Sequence, residues 1–298
     1  MRTLPFNNSS GNLRSIYMML IAVVMFSLMD TAMKLLSADF PAMQVASLRA
    51  LASLPLIVAY VAWRGGFKRI LHVHWPLQLL RAALGIVMLA LFAFGIKLLS
   101  LAEAYSIFFI APALITALSV WILKEKVNAG QWLAIAIGMG GVLVVLRPTG
   151  AGVLTLGGLA ILAAAACYAV SSISGRLLSR RDSSAHMVFW LMTLMAIGAT
   201  ALAWPNWVTV PADRLPLLCG LAFSGFFAQL AVTEAFAHGE ASRVAPFEYS
   251  ALAWGVGLDW VLWHVLPDRY TLIGAAIIIA SGLYLIRREK VHTESEHP

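Results

Sequence analysis

The feature that most limits this chain is a succession of ten apolar runs, each about 20 residues long. They fall at approximately 14–36, 41–63, 76–98, 102–123, 129–146, 153–178, 184–204, 215–237, 241–265 and 270–286. A helix needs ~20 apolar residues to cross ~30 Å of hydrocarbon, because each residue advances ~1.5 Å. Lipid offers nothing to unpaired backbone groups, so runs of this length read as helices rather than as the short alternating segments of a β-barrel. Connections such as 37–40 and 99–101 are so short that the runs they join must lie antiparallel. The expected fold is therefore all-α, a polytopic membrane protein of ten transmembrane helices.

Composition removes the main alternative. Of the 298 residues 61% are apolar and only 12% are charged, against about 25% charged in an ordinary soluble domain. A soluble globule of this length has too little interior to hide so much apolar surface. The net charge of +7 comes from Lys and Arg dispersed in short clusters between the runs, which marks topology rather than nucleic-acid binding. Fifteen of them fall on one side of the bilayer and six on the other. That asymmetry puts both termini in the cytoplasm and the protein in the inner (plasma) membrane. The first run lacks a small-residue cleavage site and is expected to be a retained span.

Several chemistries find no support. There is no G-x-x-x-x-G-K-[ST], no H-E-x-x-H and no G-x-S-x-G. Gly138-x-Gly140-Gly141 sits inside an apolar run, where close helix packing is the natural reading. Cys167 and Cys219 lie in apolar stretches with no second Cys or His at ligand spacing, so neither a disulfide nor a metal site is expected. No cofactor and no catalytic residue is expected.

The ten runs divide into two sets of five, joined near 148–152, which gives repeats over 1–150 and 151–298. The segments 102–146 and 240–286 match at a separation of about 140 residues. Each opens on a polar residue beside small ones, Ala102-Glu103-Ala104 and Glu240-Ala241-Ser242. Each then breaks, at Lys124-Glu125-Lys126 and at Leu266-Pro267-Asp268, and ends in a helix of small residues. Five is odd, so the second set enters the bilayer from the opposite face. Two inverted five-helix repeats imply a twofold axis in the membrane plane with a site at the repeat interface, which is the architecture of a transporter.

The residues Ala102-Glu103-Ala104, Pro112, Leu123-Lys124-Glu125, Gln131 and Gly141, with Val244-Ala245-Pro246-x-x-Tyr249 and Pro267-x₆-Gly274-Ala275, resemble the drug/metabolite transporter superfamily, in its ten-helix EamA-type branch. One departure stands out: the acid of the first repeat is Glu125, and its counterpart in the second is Val265. Among EamA-type proteins the chain looks most like the YddG-type amino-acid exporters. That likeness implies outward movement of amino acids or similar small amphipathic metabolites.

Ionisable residues inside a span are costly and need a reason. Asp30 lies ~9 Å from the outer end of the first span and Arg49 enters the second to ~12 Å from the same side, so the two are within reach of one another. Asp259 lies at a similar depth in the ninth span. A lock between helices, an outer gate and a substrate contact all stay open for this set. Glu248, ~10 Å into the ninth span, could carry a proton or bond a neighbouring helix. Tyr105, Phe109, Tyr168, Ser171, Gln229, Tyr249 and Trp254 are the aromatic and uncharged polar residues near mid-span in helices expected beside the axis. They are the candidate lining for a small-molecule substrate. Trp63, Trp75, Trp121, Trp204, Trp207 and Trp263 lie near span ends and are expected to anchor the interface. The competing classes are a membrane-embedded enzyme acting on lipid-linked substrates and a proton-coupled drug efflux protein.

Overall fold

The computed structural model describes residues 8–64, 70–99, 101–148, 154–264 and 266–296. Twelve α-helices carry the chain back and forth. They are α1 (Asn8–Leu36), α2 (Ala42–Trp63), α3 (Trp75–Leu98), α4 (Leu101–Phe108), α5 (Ala111–Leu118), α6 (Ala129–Leu146), α7 (Leu156–Leu178), α8 (Ser184–Ala203), α9 (Leu215–His238), α10 (Ala241–Val244), α11 (Ser250–Trp263) and α12 (Arg269–Glu296). Among the described residues nine helical segments are long and apolar enough to cross a bilayer. The tenth crossing, Ala241 to Trp263, is helical but interrupted.

Local chemistry sets several boundaries. Asn128 and Gln131 form a reciprocal capping box at the start of α6. Thr155 and Ser183 accept from the third backbone N–H of α7 and α8. Proline occupies the first turns of α3, α5 and α9, where its missing N–H costs nothing.

Two crossings are not the single helices that the runs 102–123 and 241–265 suggest. The fourth is α4, then α5, then a π turn at Ser119–Leu123. The ninth is α10, then a 3₁₀ stretch at Ala245–Tyr249, then α11. Pro112 and Pro246 explain the breaks, since each removes the N–H that would bond back one turn. Both crossings end on a left-handed residue that is not glycine, Lys124 (φ 57°) and His264 (φ 54°).

Those two residues are 140 positions apart, and the same offset recurs across the molecule. Asn128 caps α6 by accepting from Gln131 N–H, and Asp268 caps α12 by accepting from Thr271 N–H. Gly141 meets Gly274 backbone to backbone, while Ser281 donates to the carbonyl of Ala134 at 2.8 Å. Shifting the first pair by 140 generates the second. Whole helices obey the same exchange: α1 packs along α9 as α7 packs along α3, and α2 with α8 and α6 with α12 pair across the axis. A twofold relation between sets of five crossings inverts one set against the other. With ten crossings both chain ends lie on one face of the molecule, here termed the terminal face.

Large side chains left exposed, such as Leu133, Ile197 and Phe223, ring the outside of the bundle, as lipid contact demands. Trp63, Trp121 and Trp204 are likewise exposed at helix ends, whereas Trp75 packs edge-on against Trp190. The side chain of Trp263 lies outside the described residues. Inside, small residues let helices approach. At Gly274 a Cβ would lie 2.6 Å from the carbonyl oxygen of Gly141, and at Gly175 it would crowd the buried guanidinium of Arg81 at 3.3 Å.

Candidate functional site

On α1, Phe26 and Asp30 are one turn apart and share a face. The Arg49 guanidinium of α2 lies over the Phe26 ring, 5.7 Å from its centroid. Arg49 and Asp30 attract each other across this gap, yet no ion pair within 4 Å joins them. Asp30 is exposed although it stands two turns inside the crossing. A carboxylate at that depth cannot face hydrocarbon without a penalty of several kcal/mol. It therefore opens onto water among the helices.

Aromatic rings continue the lining from there. The Tyr105 hydroxyl of α4 lies within the field of Asp30, and the Tyr168 hydroxyl of α7 within that of Arg49. Between the two tyrosines the rings touch in sequence: Tyr105 with Phe92 at 5.6 Å, Phe92 with Phe108 at 5.4 Å, Phe108 with Tyr168 at 5.9 Å. Tyr168 then donates to Glu248 Oε1 at 2.9 Å. Glu248 belongs to the 3₁₀ stretch, so the break in the ninth crossing is what brings this carboxylate to the site. Five crossings and the α3 ring thus meet in one strip of aromatic rings with a carboxylate towards each end and a cation whose field reaches both Asp30 and Tyr168.

Of the residues singled out from the sequence, Asp30, Arg49, Tyr105, Tyr168 and Glu248 come together. Tyr249 does not join them: it is 2% exposed, its ring lies on Gly138, and its hydroxyl has no partner among the described residues. Phe109 stacks on Tyr249 at 6.1 Å in the same packed layer. Gln229 is buried in α9 and among the described residues reaches only Thr233, at 3.5 Å. Ser171 is half-buried beside Ser172, whose hydroxyl bonds the Tyr168 carbonyl. Trp254 is 46% exposed on α11, with no ring contact to the strip among the described residues. The side chain of Asp259 lies outside the described residues. Phe26 and Phe92 belong to the strip and were not singled out from the sequence. Phe26 sits four residues before Asp30, a signal that was available; Phe92 sits in an unbroken apolar run, which offers none.

Polar ties close the two faces. On the terminal face the Glu125 carboxylate accepts from the Ala241 N–H (2.9 Å), the Ser242 N–H (2.9 Å) and the Ser242 hydroxyl (2.7 Å). It thereby fastens the end of the fourth crossing to the start of the ninth. Its counterpart by the 140-residue offset, Val265, lies outside the described residues. On the other face Arg147 pairs with Asp268 and Arg214 with Asp39, both at 2.7 Å. The Thr271 N–H, with Arg147 beside it, holds the Asp268 carboxyl below the usual carboxylate range.

Ten crossings in two inverted sets, with charged groups gathered between them rather than at a surface, define a multi-pass membrane transporter fold. The chain matches the EamA-like transporter family twice, over residues 13–147 and over 155–288, and it belongs to that family. It is 26% identical over 273 residues to the pseudopaline exporter CntI of Pseudomonas aeruginosa (strain UCBPP-PA14), covering 91% of this chain and 95% of that protein. It is 26% identical over 286 residues to the S-adenosylmethionine uptake transporter of Rickettsia prowazekii (strain Madrid E), covering 96% of each. A solved crystal structure shares the fold with a TM-score of 0.80 at 18% identity, covering 94% of this chain and 99% of that one.

Proposed function

We propose that this protein is a secondary transporter that exports amino acids or similar small amphipathic metabolites across the inner membrane by alternating access. Both termini then face the cytoplasm, and 1–150 and 151–298 are the two repeats that exchange conformations. The strip from Asp30 to Glu248 carries the reading, because it sets charges beside an aromatic wall in water between helices. Aromatic faces suit an apolar side chain and also attract an ammonium group. Trp254, Phe109, Ser171 and Tyr249 stand further along the same crossings and Gln229 on α9, and they would meet the cargo as the repeats move.

Movement is downhill and of low affinity on this reading. Glu248 is held by Tyr168, and no ring of carboxylates at one depth stands among the described residues to supply a proton path. Asp30, Arg49 and Asp259 gate the outer half. The relatives named above work in both directions, so direction belongs to the test. Purified protein in liposomes should exchange labelled amino acids in counterflow without altering them. Chemical conversion of the substrate would favour an enzyme, and uptake driven by a pH gradient would favour proton-coupled efflux.

A further inference from the structure

Asp30 and Arg49 have opposite charges, share the Phe26 face, and do not close on one another. Neither is used up elsewhere: among the described residues no hydrogen bond or ion pair engages the Asp30 carboxylate, and Arg49 rests only on a ring. Two facing charges inside a membrane protein would be expected to collapse into a direct pair, since each otherwise bears its own desolvation. Left without a direct pair beside the Phe26 ring, they suit a molecule that carries both complementary charges. Two further charges stand nearby: Lys34, one turn beyond Asp30 on α1, and Glu248, which is tied to the Tyr168 hydroxyl that also lies within the field of Arg49.

We infer that Asp30 and Arg49 form a dipolar receptor in which Asp30 takes the ammonium and Arg49 the carboxylate of a zwitterionic substrate, with its side chain lying along Phe92, Tyr105 and Phe108. The inference rests on the export reading and narrows its cargo to molecules bearing an α-amino-acid head. A plain amine leaves Arg49 unmatched and a plain acid leaves Asp30 unmatched. Each such loss forfeits a charge-assisted hydrogen bond and lowers affinity by about tenfold or more.

The test uses the full chain in nanodiscs and three ligands of one shape: phenylalanine, phenethylamine and 3-phenylpropionate. Binding is followed by quenching of tryptophan fluorescence, with a thermal melt of every variant alongside. Wild type should prefer phenylalanine to both others by about tenfold or more. Asp30→Asn should lose the preference over 3-phenylpropionate and keep that over phenethylamine; Arg49→Gln should do the reverse. Asp30→Glu and Arg49→Lys, which retain charge, should retain both preferences. Equal binding of the three ligands by wild type, no binding of any, or equal losses for all three in both neutral variants would overturn the receptor. Counterflow of an uncharged cargo alone would keep the export reading and overturn the receptor. The reciprocal binding pattern without any counterflow would keep the receptor and overturn export.

Discussion

Phe109 and Tyr249 stack on each other with ring centroids 6.1 Å apart, and they occupy equivalent positions 140 residues apart in the two repeats. A residue touches its own equivalent only where it lies close to the twofold axis. The pair therefore marks the axis, and the break in each of the fourth and ninth crossings falls beside it. The Tyr249 hydroxyl is buried there without a partner among the described residues. Tyr249→Phe removes an unsatisfied polar atom and no hydrogen bond, so the melting temperature should stay level or rise. A fall of several degrees would mean that the hydroxyl is satisfied in the membrane.

Two adjacent glycines of α6 should behave in opposite ways. A Cβ at Gly140 meets nothing within 4 Å, whereas at Gly141 it would lie 2.8 Å from Ile278 and 3.0 Å from the Gly274 carbonyl. Gly140→Ala should be neutral or stabilising by about 0.5–1 kcal/mol, the ordinary helix gain. Gly141→Ala should cost about 1–3 kcal/mol, because the α6–α12 crossing must open to admit the methyl group. Thermal unfolding of the two variants in the same detergent decides it.

Glu125 is the acceptor for three donors at the start of the ninth crossing. Glu125→Gln keeps the shape but replaces one acceptor oxygen by a donor and removes the charge, at a cost of about 1–3 kcal/mol. The terminal face should then open more often. Labelling of a cysteine placed at Ala241, which is buried and keeps its backbone N–H for Glu125, should speed up with a charged thiol reagent after Cys167 and Cys219 are changed to serine. Unchanged labelling would show that the clamp does not restrain opening.

The Asp268 carboxyl is held below its usual range, so its contribution has a definite sign. A depressed folded-state value stabilises above the unfolded-state value, and the gain disappears as pH falls through the folded one. Asp268→Asn retains a cap for Thr271 but gives up the Arg147 pair. Wild type should melt slightly above the variant at neutral pH, and the gap should close below the usual carboxylate range. The gap is small, because the pair is solvent-exposed.

Transport should depend on the aromatic wall more than on Glu248. Tyr105→Ala removes a ring that joins Asp30 to Phe92 and should cut counterflow severely. Trp254→Ala should impair it if that side chain meets the cargo in another conformation. Glu248→Gln can still accept from Tyr168 and should leave counterflow largely intact at every pH tested. Loss of pH-driven uptake in this variant alone would make Glu248 a proton carrier.

Crossing number, helical class and the 140-residue repeat were legible in the sequence, because each depends on local properties: run length and the recurrence of small residues. The breaks at Pro112 and Pro246 were not read there, although a missing N–H is a local signal too. The rotation of each helix about its own axis was not legible. In a soluble helix the polar face announces which side is buried, but spans such as α3 and α9 carry only a few polar residues among apolar ones on every side, so most lipid-facing and inward-facing positions look alike. Phe92 was hidden for that reason, and for the same reason nothing in the sequence separated Tyr249, sealed against Gly138, from Tyr105, open beside Asp30. Which rings line the water and which fill the core was decided only when α6, α7 and the two broken crossings packed against one another, since close packing admits just one set of rotations at once.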